Sequence, residues 1–144
     1  MDALELLKQD HAKVKKLFEE AESADEREQK AIFTQIKTEL EIHAQIEENV
    51  FYPAMDRFNE LKDMVRESLE EHSKMKTLLQ EMATLSDSED FQDKLEELID
   101  NVEHHAEDEE EGKMFPKVRE LVSANELQKL GAQLQAAKGQ RKAS

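Results

Sequence analysis

Apolar residues recur every three to four positions along four long stretches of the chain, the period of a helix that buries one face. Between Ala3 and Ala21 the stripe is Leu4, Leu7, Val14, Leu17, Phe18 and Ala21. Between Asp25 and Phe51 it is Ile32, Ile36, Leu40, Ile46 and Val50. Leu61, Val65, Leu69, Met75 and Leu79 mark a third helix over Glu60 to Thr84, and Phe91, Leu95, Leu98 and Val102 a fourth over Asp87 to Glu111. One histidine interrupts each stripe: His11, His43, His72 and His105.

Start and stop signals divide the same segments. Ser23 with Glu26, Ser86 with Glu89, and Ser123 with Glu126 each have the spacing of a capping box. Pro53 is expected to limit the second helix and Gly112 to stop the fourth. A shorter helix is expected from Ala124 to Lys138, followed by a frayed tail. The organisation is therefore all-α: a helical unit over 1–122, and a short additional C-terminal helix with its tail over 123–144.

The two halves repeat. Asp10-His11 matches Glu71-His72 at an offset of 61, and His43-x-x-x-Glu47 matches His105-x-x-x-Glu109 at 62. Pro53 matches Pro116 at 63, so one extra residue is expected between Glu109 and Pro116. Two helical hairpins packed face to face follow from this.

Composition narrows the partners. The 144 residues carry a formal charge of −15, which repels nucleic acid phosphates and anionic membranes. With Cys 0, disulfides and thiolate chemistry are excluded. No apolar run approaches the roughly 20 residues of a membrane span, and no export signal is visible, so a cytoplasmic location is expected.

The histidines carry the chemistry. On a helix, His43 and Glu47 are separated by about 40° around the axis and about 6 Å along it, so both address one place. His105 and Glu109 repeat that pair, and His11 and His72 add one inward imidazole each. A lone buried histidine is usually a hydrogen-bonded core residue. Two pairs in register plus two further inward histidines are not explained that way. Four imidazoles and two carboxylates suit two borderline divalent metals, two histidines on each, with Glu47 and Glu109 bridging. Leu7, Val14, Leu40, Ile46, Leu69, Met75 and Val102 are expected to wrap the site. His104 faces about 100° away from His105. Glu107, Asp108, Glu110 and Glu111 read as a solvated face, while Glu48 and Glu110 are candidates for an extra ligand. Tyr52, the only tyrosine, reads as a packing residue with a redox role near the metals as the alternative, and Met55, Met64, Met82 and Met114 read as core filler.

On these residues, together with Phe51-Tyr52-Pro53 and Phe115-Pro116, the chain resembles the hemerythrin-like family, the HHE cation-binding domains, over about Leu4 to Arg119. The resemblance implies an up-down-up-down four-helix bundle holding two iron ions, a non-heme di-iron site with an oxo or hydroxo bridge. It implies that His11, His43, His72 and His105 bind iron and that Glu47 and Glu109 bridge it. Oxygen-carrying hemerythrins have a fifth histidine one turn after the third-helix histidine, where this chain has Lys76. They bridge with a carboxylate five residues after the fourth-helix histidine. Here Glu109 stands at four and Glu110 at five, and a local bulge would choose between them.

The function expected is that of a di-iron protein that reacts with or senses O2, peroxide or nitric oxide. The alternatives are a reversible O2 carrier or an iron-handling protein. No pocket for a large substrate is visible, which weighs against a dedicated enzyme, although di-iron oxidase or detoxifying activity fits the ligands. Signalling would need a protein partner.

Overall fold

Asp2 opens the first helix: its carboxylate accepts the Glu5 N–H at 2.9 Å, and the Glu5 side chain takes the Asp2 N–H at 3.1 Å. This reciprocal cap satisfies two otherwise free donors. The computed structural model describes residues 1–85 and 88–143, and all regular structure among them is helical. The order is α1 (Ala3–Ser23), α2 (Glu26–Ile46), a first π-helical segment (Glu47–Phe51), α3 (Tyr52–Met55), a 3₁₀ turn (Asn59–Leu61), α4 (Lys62–Thr84), α5 (Ser88–Glu103), a second π-helical segment (His104–Met114), α6 (Phe115–Leu121) and α7 (Ala124–Ala143).

Several start and stop signals act differently from expectation. Asp25, not Ser23, caps α2, accepting the Glu28 N–H at 2.9 Å; Ser23 ends α1, its hydroxyl on the Glu19 and Glu20 carbonyls. Ser123 caps α7, accepting the Glu126 N–H at 3.2 Å. The Ser86–Glu89 pairing lies outside the described residues. Pro53 and Gly112 do not end their helices. Each proline falls in the first turn of the α-helix that follows a π segment, where the hydrogen-bond ladder is changing register and a missing donor costs least. Gly112 sits inside the second π segment, where a Cβ would stand 3.0 Å from the Glu107 carbonyl oxygen.

α1 packs along α2 and α4 along α5, while α7 lies chiefly against α1, α2 and the first π segment. Gly131 permits that crossing: a methyl there would meet the Met1 carbonyl oxygen and stand 2.9 Å from the Asp2 carbonyl carbon. Two apolar clusters form the core. One gathers Leu4, Leu7, Ile46, Phe51, Met55, Phe115 and Leu127; the other gathers Phe18, Ile36, Leu79, Phe91 and Leu98. Each fully buried side chain of this size contributes about 1.5–3 kcal/mol. Leu69 departs from its expected place and is 42% exposed, while Ser68 turns inward. No helix is long and apolar enough to cross a membrane.

Candidate metal centre

Between the two apolar clusters lies a polar layer that solvent barely reaches. His43, Glu47, His72, His105 and Glu110 are buried, Glu47 and Glu110 completely. His11 keeps only 9% of its side chain exposed. Ligating atoms of His11, His43, Glu47 and Glu110 lie within 4.8 Å of one another, as do those of Glu47, His72 and His105. Glu47 belongs to both groups. Its Oε1 stands 3.2 Å from His43 Nε2 and 3.1 Å from His72 Nε2. Glu110 mirrors it, with Oε1 3.1 Å from His11 Nε2 and Oε2 3.4 Å from His105 Nε2.

The structure thus gathers His11, His43, Glu47, His72 and His105 as expected from the sequence, but puts Glu110 where Glu109 was expected. Glu109 lies outside, 3.4 Å from both the Lys113 ammonium and His104 Nε2. The second π segment is the reason. Its i to i+5 bonding widens the turn by one residue, so the residue five after His105 shares its face. The extra residue of the second half therefore falls between His105 and Glu110, not beyond Glu109. Glu110 and Glu111 also leave the solvated face assigned to them. The doublet Glu47-Glu48 is matched by both Glu109-Glu110 and Glu110-Glu111, so the sequence repeat alone does not choose between them.

Each imidazole turns its second nitrogen to a carboxylate on another helical segment. His43 Nδ1 is 3.0 Å from Asp10, His72 Nδ1 2.9 Å from Glu48, His105 Nδ1 2.7 Å from Glu71, and His11 Nδ1 2.7 Å from Glu111. The result is a closed ring in chain order. α1 orients the histidine of α2, the first π segment that of α4, α4 that of the second π segment, and the second π segment that of α1. Such partners hold the imidazole in the tautomer whose Nε2 lone pair faces inward. Glu48 is therefore an outer partner, not an extra inward donor. Its other oxygen meets the Lys76 ammonium at 2.9 Å, and Lys138 pairs with Asp10. His104 is half exposed, 3.2 Å from Asp108.

The electrostatics reflect crowding of opposite charges. Burial alone pushes His43 down, but Glu47 and Asp10 outweigh it and raise its pKa to about 10. His11, His72 and His105 are likewise raised by their carboxylates against burial. Burial pushes Glu110 up, yet His105 and His11 bring it well below the usual range. The His72 hydrogen bond and Lys76 hold Glu48 at about 2. Tyr52, read from the sequence as packing, points its hydroxyl into the same layer. It donates to Glu110 and stands 3.3 Å from His72 Nε2 and 3.4 Å from His105 Nε2. Its repeat partner Phe115 has no hydroxyl and stacks on His11 at a ring distance of 6.2 Å.

A metal fits this donor set. His11 Nε2, His43 Nε2, both Glu47 oxygens and Glu110 Oε1 are buried with no hydrogen-bond partner, a cost that folded proteins rarely tolerate. Their mutual spacing is close to the edge of an octahedron with metal–ligand bonds of about 2.1 Å, which is about 3 Å. Imidazole with carboxylate is the donor chemistry of borderline divalent ions.

Known proteins point the same way. A hemerythrin HHE cation-binding-domain protein from Mycobacterium kansasii has a crystal structure that superposes with a TM-score of 0.86, at 27% identity, over 99% of this chain and 88% of that one. A DNA nickase from Nostoc sp. is 33% identical over 140 residues, 96% of this chain but 39% of that protein, so this chain spans well under half of its relative. The family model for the hemerythrin HHE cation-binding domain matches residues 2–118, and the chain belongs to that family.

Proposed function

We propose that the chain binds two iron ions in this layer and uses them to react with or sense a small ligand such as O2, peroxide or nitric oxide. The observation that supports it best is the pair of His/Glu groups that share Glu47, the first of which leaves His11 Nε2, His43 Nε2, both Glu47 oxygens and Glu110 Oε1 with no hydrogen-bond partner. His11 and His43 would hold one ion, His72 and His105 the other, and Glu47 and Glu110 would bridge. The four long helical rods would run up-down-up-down around them as a four-helix bundle, with α7 laid against one side.

The chain's own residues set the rest. The outer carboxylates fix the imidazoles, and Val14, Leu40, Met75 and Val102 line a cavity of about 20 Å³ beside the histidines. That has room for about one water-sized molecule, which suits a small ligand over a large one. The bound irons would supply redox chemistry. Because position 76 is a lysine, paired with Glu48, α4 offers one imidazole, and the two metal positions would have equal protein donors. This favours reactivity over reversible O2 carriage. Nicking is not carried over from the Nostoc protein: the match covers 39% of it, and a formal charge of −15 repels phosphate.

The test is anaerobic ferrous loading followed by elemental analysis and exposure to oxygen under optical observation. About two irons per chain and a fast, irreversible spectral change are expected. One metal per chain, or preferential zinc uptake from a mixture, overturns the di-iron reading. A coloured adduct that disappears under vacuum returns carriage to first place.

A further inference from the structure

The internal repeat makes two surface clefts equivalent by pseudo-symmetry, and the structure treats them differently. The first, about 220 Å³, lies between α1 and the α5–second π rod; Lys15, Phe18, Glu107 and Glu111 line it. The second, about 570 Å³, lies between α4 and the α2–first π rod; Lys76, Leu79, Gln45 and Glu48 line it. Lys15 and Lys76 are repeat partners at an offset of 61, Gln45 and Glu107 at 62, and Glu48 and Glu111 at 63.

The lysines make opposite choices. Lys76 reaches inward to Glu48 at 2.9 Å, the carboxylate that holds His72 Nδ1. That pair lines its cleft, and His72 does not. Lys15 instead turns outward to Glu107 at 3.0 Å, a residue whose repeat partner Gln45 offers no charge. Glu111 carries no lysine among the described residues, and His11 lines the cleft. His11, Val14, Val102 and Ala106 line both this cleft and the inner cavity, so the same side chains border the two. The side chain of His11 is 9% exposed and that of His72 3%.

We propose that small neutral ligands reach the centre only through the α1 cleft, past Val102 and Ala106, and that the Lys76–Glu48 pair is a seal closing the equivalent cleft. Lys76 then has a role of its own: it makes a two-fold site one-sided. Glu107 draws Lys15 aside and keeps the open cleft open. What travels through the cleft rests on the metal reading; the one-sided access does not.

Two measurements test this. Metal-free protein is treated briefly with diethyl pyrocarbonate, and the acylated histidines are mapped by mass spectrometry, with half-exposed His104 as internal reference. His11 should label at least roughly fivefold faster than His72, and Lys76→Ala should raise His72 labelling by a similar factor without altering His11. Equal labelling of His11 and His72, or no response of His72 to Lys76→Ala, overturns the proposal. In iron-loaded protein kept free of oxygen, association of nitric oxide, a neutral ligand, followed by stopped flow should slow about tenfold in Val102→Phe and quicken in Lys76→Ala. An unchanged rate in folded Val102→Phe also overturns it. Because the labelling needs no iron, failure to load iron leaves that arm intact.

Discussion

The two halves of the chain hold the same ring of histidines and carboxylates, yet only the second lengthens its π segment. The first π segment spans Glu47–Phe51, and its carboxylate stands four residues after His43. The second spans His104–Met114, and its carboxylate stands five after His105. Equivalent side chains reach equivalent places by different local geometry. What the two halves share is thus the direction of each side chain, not its spacing along the chain. Further differences follow: Tyr52 opposite Phe115, and α7 with its Lys138 chiefly against the first half.

The largest expected effect breaks the register difference. Glu110→Ala should lose at least one metal per chain, whereas Glu109→Ala should keep both, measured by elemental analysis. Metal loss from Glu109→Ala with retention in Glu110→Ala would mean that the π segment does not persist around bound metal.

A pH series checks whether both halves share their electrostatics. The pKa of His43 lies at about 10 against an ordinary 6.5. Its stabilising contribution is therefore complete below pH 6.5 and lost as pH rises to 10. His105 is shifted in the same direction. The melting temperature of metal-free protein should fall across that window, and a flat or rising profile would contradict the arrangement in both halves.

Gly131→Ala separates α7 from the first half. Added atoms against backbone cost about 1–3 kcal/mol, so the melting temperature should drop while α1 to α6 stay helical by circular dichroism. No change would mean that α7 crosses elsewhere.

Changes in the ring pair act on a similar scale. Tyr52→Phe removes the hydroxyl that Glu110 accepts, a loss of about 1.5–3 kcal/mol for a bond to a charged group. Phe115→Ala should leave that bond intact and cost packing alone, about 3–5 kcal/mol for a buried phenylalanine. The smallest effect belongs to Lys138→Met. Without its ammonium, Asp10 still orients His43, and the metal affinity of the His11–His43 position should shift by a few-fold only; a complete loss would give α7 a larger role.

Much of this was legible in the sequence, for identifiable reasons. Stripe-borne histidines announce themselves because a polar ring at a core position needs a partner. Glu47 was found because its helix is still regular at that point. Glu109 was chosen over Glu110 because an α-helical spacing was carried into a stretch where the bonding is π. Leu69 was placed inside by the same periodicity, but the chain turns Ser68 inward there. The outer carboxylates Asp10 and Glu71 adjoin ligand positions, yet each serves a histidine on another helix, which spacing along one helix cannot reveal. Pro53 and Gly112 were read as stops because their usual penalties assume an α-helical ladder.

The ring that orients the histidines also orders events in folding. Three of its links join residues 33, 24 and 34 positions apart, within or between neighbouring helices. The fourth, His11 to Glu111, spans 100 positions and closes the ring between the first helix and the last π segment. Loop closure disfavours distant links, so the three short ones can assemble while the chain is still open. The donor set at His11 is then complete only after the ends of the bundle meet, and metal capture at that position becomes a clock for the final docking step.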